Sequence, residues 1–279
     1  GGGGFSSLGV FPSGGSDPFG IVVADLNNDN LDDIAVINRG NPGTLGILLN
    51  DGIGGFVTSS LPTGGRGPEA LTTGDFNHDD PPDLAVSHVD SSTVRLFLNN
   101  GLGQFQPHSQ TFGIGGRPDL QAVASGDFDG DGMSDILWRD LESGDVDIWG
   151  LTKSSTLGPL EGGGSPWSAI GAGDFDGDGR DDVLWRHTDT DWLAVRLSTT
   201  GERDGIQSTL NWTDRERQVP SIGDYDGDGR ADLVIYDGEA VETQLWVMDG
   251  SVVTASELLP SPLDHWGFAT VDLRPPGSR

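Results

Sequence analysis

The stretch Gly173–Asp182 reads G-D-F-D-G-D-G-R-D-D and places five aspartates in ten residues. Carboxylates this close repel one another and resist ionising together. The stretch is not alone. Counted from its first aspartate, D-F-D-G-D-G-R-D-D at 174–182 has four counterparts. They are D-L-N-N-D-N-L-D-D at 25–33, D-F-N-H-D-D-P-P-D at 75–83, D-F-D-G-D-G-M-S-D at 127–135 and D-Y-D-G-D-G-R-A-D at 224–232. Their first aspartates lie 50, 52, 47 and 50 residues apart. A period near 50 residues is that of a four-stranded propeller blade and is too long for a helical hairpin repeat.

Each copy has the same surroundings. A small-apolar run precedes the loop, as in I-V-V-A (21–24), A-V-A-S-G (122–126) and A-I-G-A-G (169–173). A stronger apolar run follows it: I-A-V-I, L-A-V-S, I-L-W-R, V-L-W-R and L-V-I-Y. A third run comes next, clearest in L-G-I-L-L-N (45–50) and V-R-L-F-L-N (94–99), then a glycine turn and a weaker fourth. Apolar runs of four to six residues without helical periodicity are strands. The expected fold is all-β, a β-propeller of four-stranded antiparallel blades in one domain over 1–279. The repeats span 19–67, 68–118, 119–165, 166–215 and 216–264, giving five complete blades. Residues 4–11 and 265–273 resemble partial end strands, and a six-bladed ring is favoured, with five to seven blades admitted.

Composition agrees with short strands and tight turns: 34% of residues are hydrophobic, and there are 45 glycines and 16 prolines. The net charge of −29 argues against nucleic-acid binding, which needs clustered Lys and Arg; Lys153 is the single lysine. With no cysteine there is no disulfide framework, thiolate site or thiol nucleophile. No apolar run approaches the ~18 residues of a membrane span. The chain begins Gly1-Gly2-Gly3-Gly4 without Met, which reads as processing or truncation, so missing targeting signals carry little weight.

The loop chemistry points to a hard cation. Oxygen-bearing side chains stand at positions 1, 3, 5 and 9 of every copy. These are Asp25, Asn27, Asp29 and Asp33; Asp75, Asn77, Asp79 and Asp83; Asp127, Asp129, Asp131 and Asp135; Asp174, Asp176, Asp178 and Asp182; Asp224, Asp226, Asp228 and Asp232. Position 7 offers a backbone carbonyl whatever its side chain: Leu31, Pro81, Met133, Arg180 and Arg230. Glycines at positions 4 and 6 of the last three copies permit the left-handed backbone of a tight curl. Such an all-oxygen cage suits Ca2+, which takes six to eight oxygens, better than Mg2+, which keeps several waters. The expected complement is about five Ca2+ ions with a mainly structural role, tightest in the last three loops. Asp181, at position 8, is left as the spare, pointing away. An EF-hand is excluded because position 12 is Val36, Val86, Trp138, Trp185 or Ile235 rather than Glu.

Blades with D-x-[DN]-x-D-x-x-x-D between their first two strands resemble the FG-GAP/VCBS repeats of integrin α-chain-like propellers. Phe19-Gly20 precedes the first loop, and D-I-A-V (33–36), D-L-A-V (83–86), D-I-L-W-R and D-V-L-W-R match the family's second strand. The family's G-A-P triplet is absent, with Asn38 and His88 near its place, which weakens any inference of integrin-like ligand binding. Calcium stapling at the affinities of extracellular modules implies an extracellular, cell-surface or periplasmic setting, and the reading reached is a non-enzymatic, calcium-stabilised module with a protein or glycan as partner. Two alternatives stand beside it: a glycan-active enzyme, and a structural subunit that self-assembles through unpaired end strands.

Other residues carry weaker signals. The five histidines are scattered among the repeats and read as surface or turn residues, and Glu142 and Asp145 have no identifiable partner for acid–base work. Trp138 and Trp185 recur at one second-strand position and read as packing between blades. Arg139 and Arg186 follow them in register and read as bridges to a neighbouring blade. Trp192 and Trp212 break the repeat and are the candidates for a ligand surface, through stacking on sugar rings.

Overall fold

The computed structural model describes residues 9–91, 93–113, 120–140, 142–150, 154–156, 166–198, 208–210, 217–238 and 240–259. Among them are twenty strands and one 3-10 turn, Val89–Ser91. The strands form five four-stranded sheets, each an antiparallel meander in chain order. The first sheet is β1 (Pro18–Ala24), β2 (Asp33–Asn38), β3 (Thr44–Asn50) and β4 (Phe56–Pro62); the second is β5 (Pro68–Gly74), β6 (Asp83–His88), β7 (Thr93–Asn99) and β8 (Phe105–Gly113). The third is β9 (Leu120–Gly126), β10 (Asp135–Asp140), β11 (Val146–Trp149) and β12 (Ser154–Thr156). The fourth is β13 (Trp167–Gly173), β14 (Asp182–His187), β15 (Leu193–Arg196) and β16 (Ser208–Leu210), and the fifth is β17 (Arg217–Gly223), β18 (Asp232–Asp237), β19 (Glu242–Asp249) and β20 (Val252–Leu259). Residues 9–11 of the expected strand 4–11 are not in a strand; 4–8, 265–273 and Trp212 lie outside the described residues.

The chain divides into two compact units, Gly1–Ala122 and Val123–Arg279. The first holds the first two sheets. Its core joins Leu26, Ile37, Leu45 and Ile47 to Leu84, Val86 and Phe97 of the second sheet. The second unit has two cores, each between successive sheets. One sets Phe128, Leu137 and Ile148 against Trp167, Val183 and Trp185; the other sets Phe175, Leu184 and Val195 against Leu233, Ile235 and Met248. In β14 the alternation of a strand sends Val183 and Trp185 to one core and Leu184 to the other. A strand flanked by sheets on both faces reads as a continuous apolar run, which is why the second strands looked strongest in sequence.

Position 2 of the acidic loop ties loop to core. Leu26, Phe76, Phe128 and Phe175 are all buried. Leu26, Phe128 and Phe175 each sit in a core shared with the following sheet. Tyr225, the last copy, is 46% exposed, and its hydroxyl hydrogen-bonds Ser221. Truncating a buried Phe to Ala costs roughly 3–5 kcal/mol from lost transfer energy and the cavity left behind. Phe175→Ala is therefore expected to lose that much in denaturant unfolding, and Tyr225→Ala far less. Equal losses at the two positions would contradict this assignment of the cores.

Candidate metal centre

The acidic loops connect the first and second strands of every sheet and share one backbone shape. Positions 4 and 6 have positive φ in all five copies, including the four such positions, in the first two copies, that lack glycine: Asn28 (59°), Asn30 (65°), His78 (60°) and Asp80 (76°). Gly177 and Gly179 show the same sign at 76° and 84°. Asn and Asp tolerate this region better than most residues, and a non-glycine residue there is held by its surroundings.

Two carboxylates organise each loop. The one at position 1 accepts backbone N–H groups from the curl above it. Asp174 Oδ1 accepts from Gly177 (2.7 Å) and Asp178 (3.1 Å), and Oδ2 from Gly179 (2.9 Å). Asp127 and Asp224 repeat this set. The carboxylate at position 9 heads the second strand and is buried in every copy: Asp33, Asp83, Asp135, Asp182 and Asp232. Its Oδ2 accepts the N–H of position 2, as Phe175 donates to Asp182 at 3.0 Å. Its Oδ1 accepts an N–H from the end of the third strand or just beyond: Asn50 to Asp33 (2.7 Å), Asn99 to Asp83 (2.7 Å), Ser198 to Asp182 (2.6 Å) and Met248 to Asp232 (2.9 Å).

Carboxylate oxygens of three residues converge to within 4.8 Å of one another in four loops. The groups are Asp75, Asp79 and Asp83; Asp127, Asp129 and Asp135; Asp174, Asp176 and Asp182; and Asp224, Asp226 and Asp232. Each can hold a metal ion. The structure thus brings positions 1, 3 and 9 together in the last three loops. At position 5, Asp131, Asp178 and Asp228 each accept the N–H of position 7 at 2.9 Å. Among the described residues, Asp25, Asp29 and Asp33 of the first loop do not form such a group. There Asn27 donates through Nδ2 to Asp29 at 3.0 Å.

The crowding shows in the titration of the buried member. Burial pushes the Asp182 carboxyl up to about 7; the N–H groups of Ser198 and Phe175 pull it down, and the Asp176 and Asp174 charges add to the rise. Asp135 is pushed to about 7 and Asp83 to about 6, again first by burial. Asp33 and Asp176 are raised for the same first reason. At Asp25 desolvation is the largest single effect and raises the carboxyl, but the backbone N–H groups, led by that of Asn30, together outweigh it, and the carboxyl lies below the usual range. A hard cation supplies what the position-9 aspartates lack, a positive charge that compensates for lost water, so the donor set fits such an ion.

Within the second unit the loops touch one another, a feature the repeat alone does not reveal. Asp181 is not a spare residue pointing away. Its N–H donates to the Asp127 carbonyl (2.8 Å), and its Oδ2 accepts the Asp127 N–H (2.8 Å). Burial raises its carboxyl. The approach requires a glycine before the third loop, since a Cβ on Gly126 would lie 2.3 Å from Asp181 Oδ2. In the fifth loop Ala231 donates its N–H to the Asp174 carbonyl at 2.7 Å, the backbone half of the same link. Position 7 side chains also reach the preceding loop: Arg180 lies against Gly130 and Arg230 against Gly177. Arg230 pairs with Asp249 at 2.8 Å.

Other predicted residues fall elsewhere. Trp192 is 38% exposed on the turn between β14 and β15, at the opposite end of β14 from Asp182. Trp138 and Trp185 are fully buried, and Trp185 lies in the core between the third and fourth sheets. Arg139 reaches Ser168 and the Ala169 carbonyl of the next sheet, whereas Arg186 pairs with Asp191 in its own hairpin at 2.8 Å. His88 is neither a surface nor a turn residue: it is 1% exposed at the end of β6 beneath Gly65. Burial, with the Arg95 charge, pushes its imidazole down to about 4.

Residues 25–86 and 82–138 match the FG-GAP-like repeat, and 166–187 match the FG-GAP repeat. No curated protein matches the chain. Among solved structures, a protein from Lactobacillus plantarum superposes with a TM-score of 0.54 at 12% identity, covering 87% of this chain and 70% of that one. A chain from a nidogen/laminin complex gives 0.53 at 11% identity, covering 86% and 79%. At these identities the likeness is one of fold. The biofilm matrix protein Bap1 of V. cholerae, at 19% identity with 85% of this chain and 38% of that one covered, gives only 0.34.

The raised carboxyls set a pH dependence for the metal-free chain. Asp83, Asp135 and Asp182 titrate at about 6, 7 and 7 when folded, above the ~3.9 of an unfolded aspartate. The folded state therefore binds their protons more tightly. Their contribution is full below ~4 and is lost as pH rises through 6 to 7. His88 acts oppositely, losing stability as pH falls from ~6.5 toward 4. In chelator, thermal unfolding is expected at a higher temperature at pH 6 than at pH 8, and Asp182→Asn is expected to flatten the difference. A midpoint that is unchanged or higher at pH 8 would contradict it.

Proposed function

Because the chain is an FG-GAP repeat protein, we propose that it is a calcium-stabilised β-propeller that displays a binding surface outside the cell. The observation that carries this reading is the convergence of three carboxylates to within 4.8 Å in four successive loops. In each loop the side chains at positions 1, 3, 5 and 9 and the carbonyl at position 7 (Leu31, Pro81, Met133, Arg180 or Arg230) are the proposed ligand set. Calcium suits a flexible, carboxylate-rich cage better than magnesium does. The first loop, with Asn27 in place of a carboxylate and no converging trio, is the proposed weak site. A single β-propeller domain over 1–279, with six blades favoured, belongs to the same proposal.

The role follows from where the ion would act. It neutralises charge at the hinge between the first two strands and so fixes the loops; chemistry on a substrate is not part of this reading. Extracellular modules bind calcium at roughly 10⁻⁴–10⁻³ M, far above cytosolic levels, so stapling of this kind points to an extracellular, surface or periplasmic setting. Among the described residues no helix is long and apolar enough to cross a membrane, which says nothing of strands. The fold likeness to a chain from a nidogen/laminin complex supports a protein partner. Exposed Trp192 supports a glycan as the second reading, through stacking on a sugar ring.

At ~1 mM calcium and a Kd of ~0.1 mM, linkage supplies about 1.4 kcal/mol per site. Four such sites are expected to raise the thermal midpoint by on the order of 10 °C over that in chelator. Binding to a panel of matrix proteins and a glycan array is expected to be lost in chelator. An unchanged midpoint would sink the calcium reading. Turnover of a polysaccharide by the calcium-loaded chain would replace display with catalysis.

A further inference from the structure

We infer that Asp181 is a positioning residue that makes the third and fourth loops one cooperative calcium-binding unit, an inference that rests on the calcium reading above. Asp127 supplies the position-1 carboxylate of the third loop, and its main chain is held by the fourth. The Asp181 N–H donates to the Asp127 carbonyl at 2.8 Å, and Asp181 Oδ2 accepts the Asp127 N–H at 2.8 Å. Asp181 is followed directly by Asp182, the buried position-9 carboxylate of the fourth loop. Two adjacent residues of the fourth loop therefore serve two loops, Asp182 its own trio and Asp181 that of the third. The Asp181 main chain is also fixed from the far side, where Ser198 Oγ donates to its carbonyl at 2.6 Å and the Ser198 N–H donates to Asp182 Oδ1 at 2.6 Å.

An ion that orders the fourth loop fixes Asp182, hence Asp181, hence the backbone that aims Asp127 at the third site. The reverse holds by reciprocity of coupled binding. The chain contains its own contrast. At the next junction the residue equivalent to Asp181 is Ala231, which keeps the backbone bond to Asp174 but has no carboxylate to receive the Asp174 N–H. An open cleft of about 320 Å³ lies beside it, lined in part by Gly173, Asp174, Asp224 and Ala231. Ala231 is buried, and its Cβ faces Gly173 as that of Asp181 faces Gly126, so an aspartate at 231 would start from the same approach. The third and fourth sites are thus coupled, and the fourth and fifth, joined by the backbone bond alone, are not.

The test is calcium calorimetry on the full chain with single sites removed. Affinity at the fourth loop is measured with the third intact and with the third disabled by Asp129→Ala. Disabling the third loop is expected to weaken the fourth by about five-fold or more, the lower range of typical couplings. In an Asp181→Ala background the same step is expected to leave the fourth loop unchanged. Asp181→Asn, which keeps an oxygen acceptor, is expected to restore most of the coupling, which a merely structural role would not require. Ala231→Asp is expected to create coupling between the fourth and fifth loops, read by disabling the fifth with Asp226→Ala, and this arm stands even if Asp181→Ala fails to fold. Calcium uptake with no coupling in the unaltered chain, or coupling that survives Asp181→Ala, would overturn the inference while leaving the calcium reading intact. No calcium uptake by any loop would overturn both.

Discussion

A buried negative charge at the head of each second strand is the constraint on which the rest of the structure depends. Asp33, Asp83, Asp135, Asp182 and Asp232 are all buried, and burial is the first cause of the raised carboxyls at Asp33, Asp83, Asp135 and Asp182. In the first, second, fourth and fifth sheets this one side chain receives an N–H from the loop and another from the segment ending the third strand. It therefore joins three stretches of each of these four sheets at one point. A neutral, apolar residue there would leave those N–H groups without acceptors, at a cost of about 1–3 kcal/mol for each group left buried. A carboxylate satisfies them but brings its charge inside, and the neighbours at positions 1 and 3 make that charge harder to bear. The unfavourable electrostatics and the loop's order thus arise from the same residue.

The loops also act on one another. In the second unit, positions 7 and 8 of one loop lie on positions 4 and 1 of the loop before it, through Arg180 on Gly130, Arg230 on Gly177, Asp181 on Asp127 and Ala231 on Asp174. The position-2 side chains run the opposite way, with Phe128 and Phe175 entering the core of the following sheet. Each junction is therefore held twice, by an apolar plug beneath and a polar link above. Arginine at position 7 also places positive charge among carboxylates, as the Arg230–Asp249 pair shows.

The repeat made the local part of this legible. The spacing of oxygens at positions 1, 3, 5 and 9, the strand on either side and the left-handed turns depend on residues within about ten of one another, and each copy confirmed the others. What escaped was set by contacts between repeats or between distant segments. Asp181 looked redundant because its partner, Asp127, is more than a repeat away. Arg180 counted only as a carbonyl because the glycine beneath its side chain belongs to another loop. His88 passed as a surface residue because its burial is completed by Gly65, a glycine that nothing local marks as a cover. Arg186 was assigned to a neighbouring blade by analogy with Arg139, but Asp191 in its own hairpin lies closer to hand. Position 5 stands with the ligands in the sequence pattern, yet the trios of the last three loops form from positions 1, 3 and 9.

The central claim is that these carboxylate groups hold calcium. It is tested most directly by counting ions: equilibrium dialysis of the chain against 1 mM calcium in excess magnesium, followed by elemental analysis. The account predicts at least four calcium ions per chain, one for each loop whose carboxylates converge, with little magnesium retained. A chain that retains no calcium, or that exchanges it freely for magnesium, would contradict it.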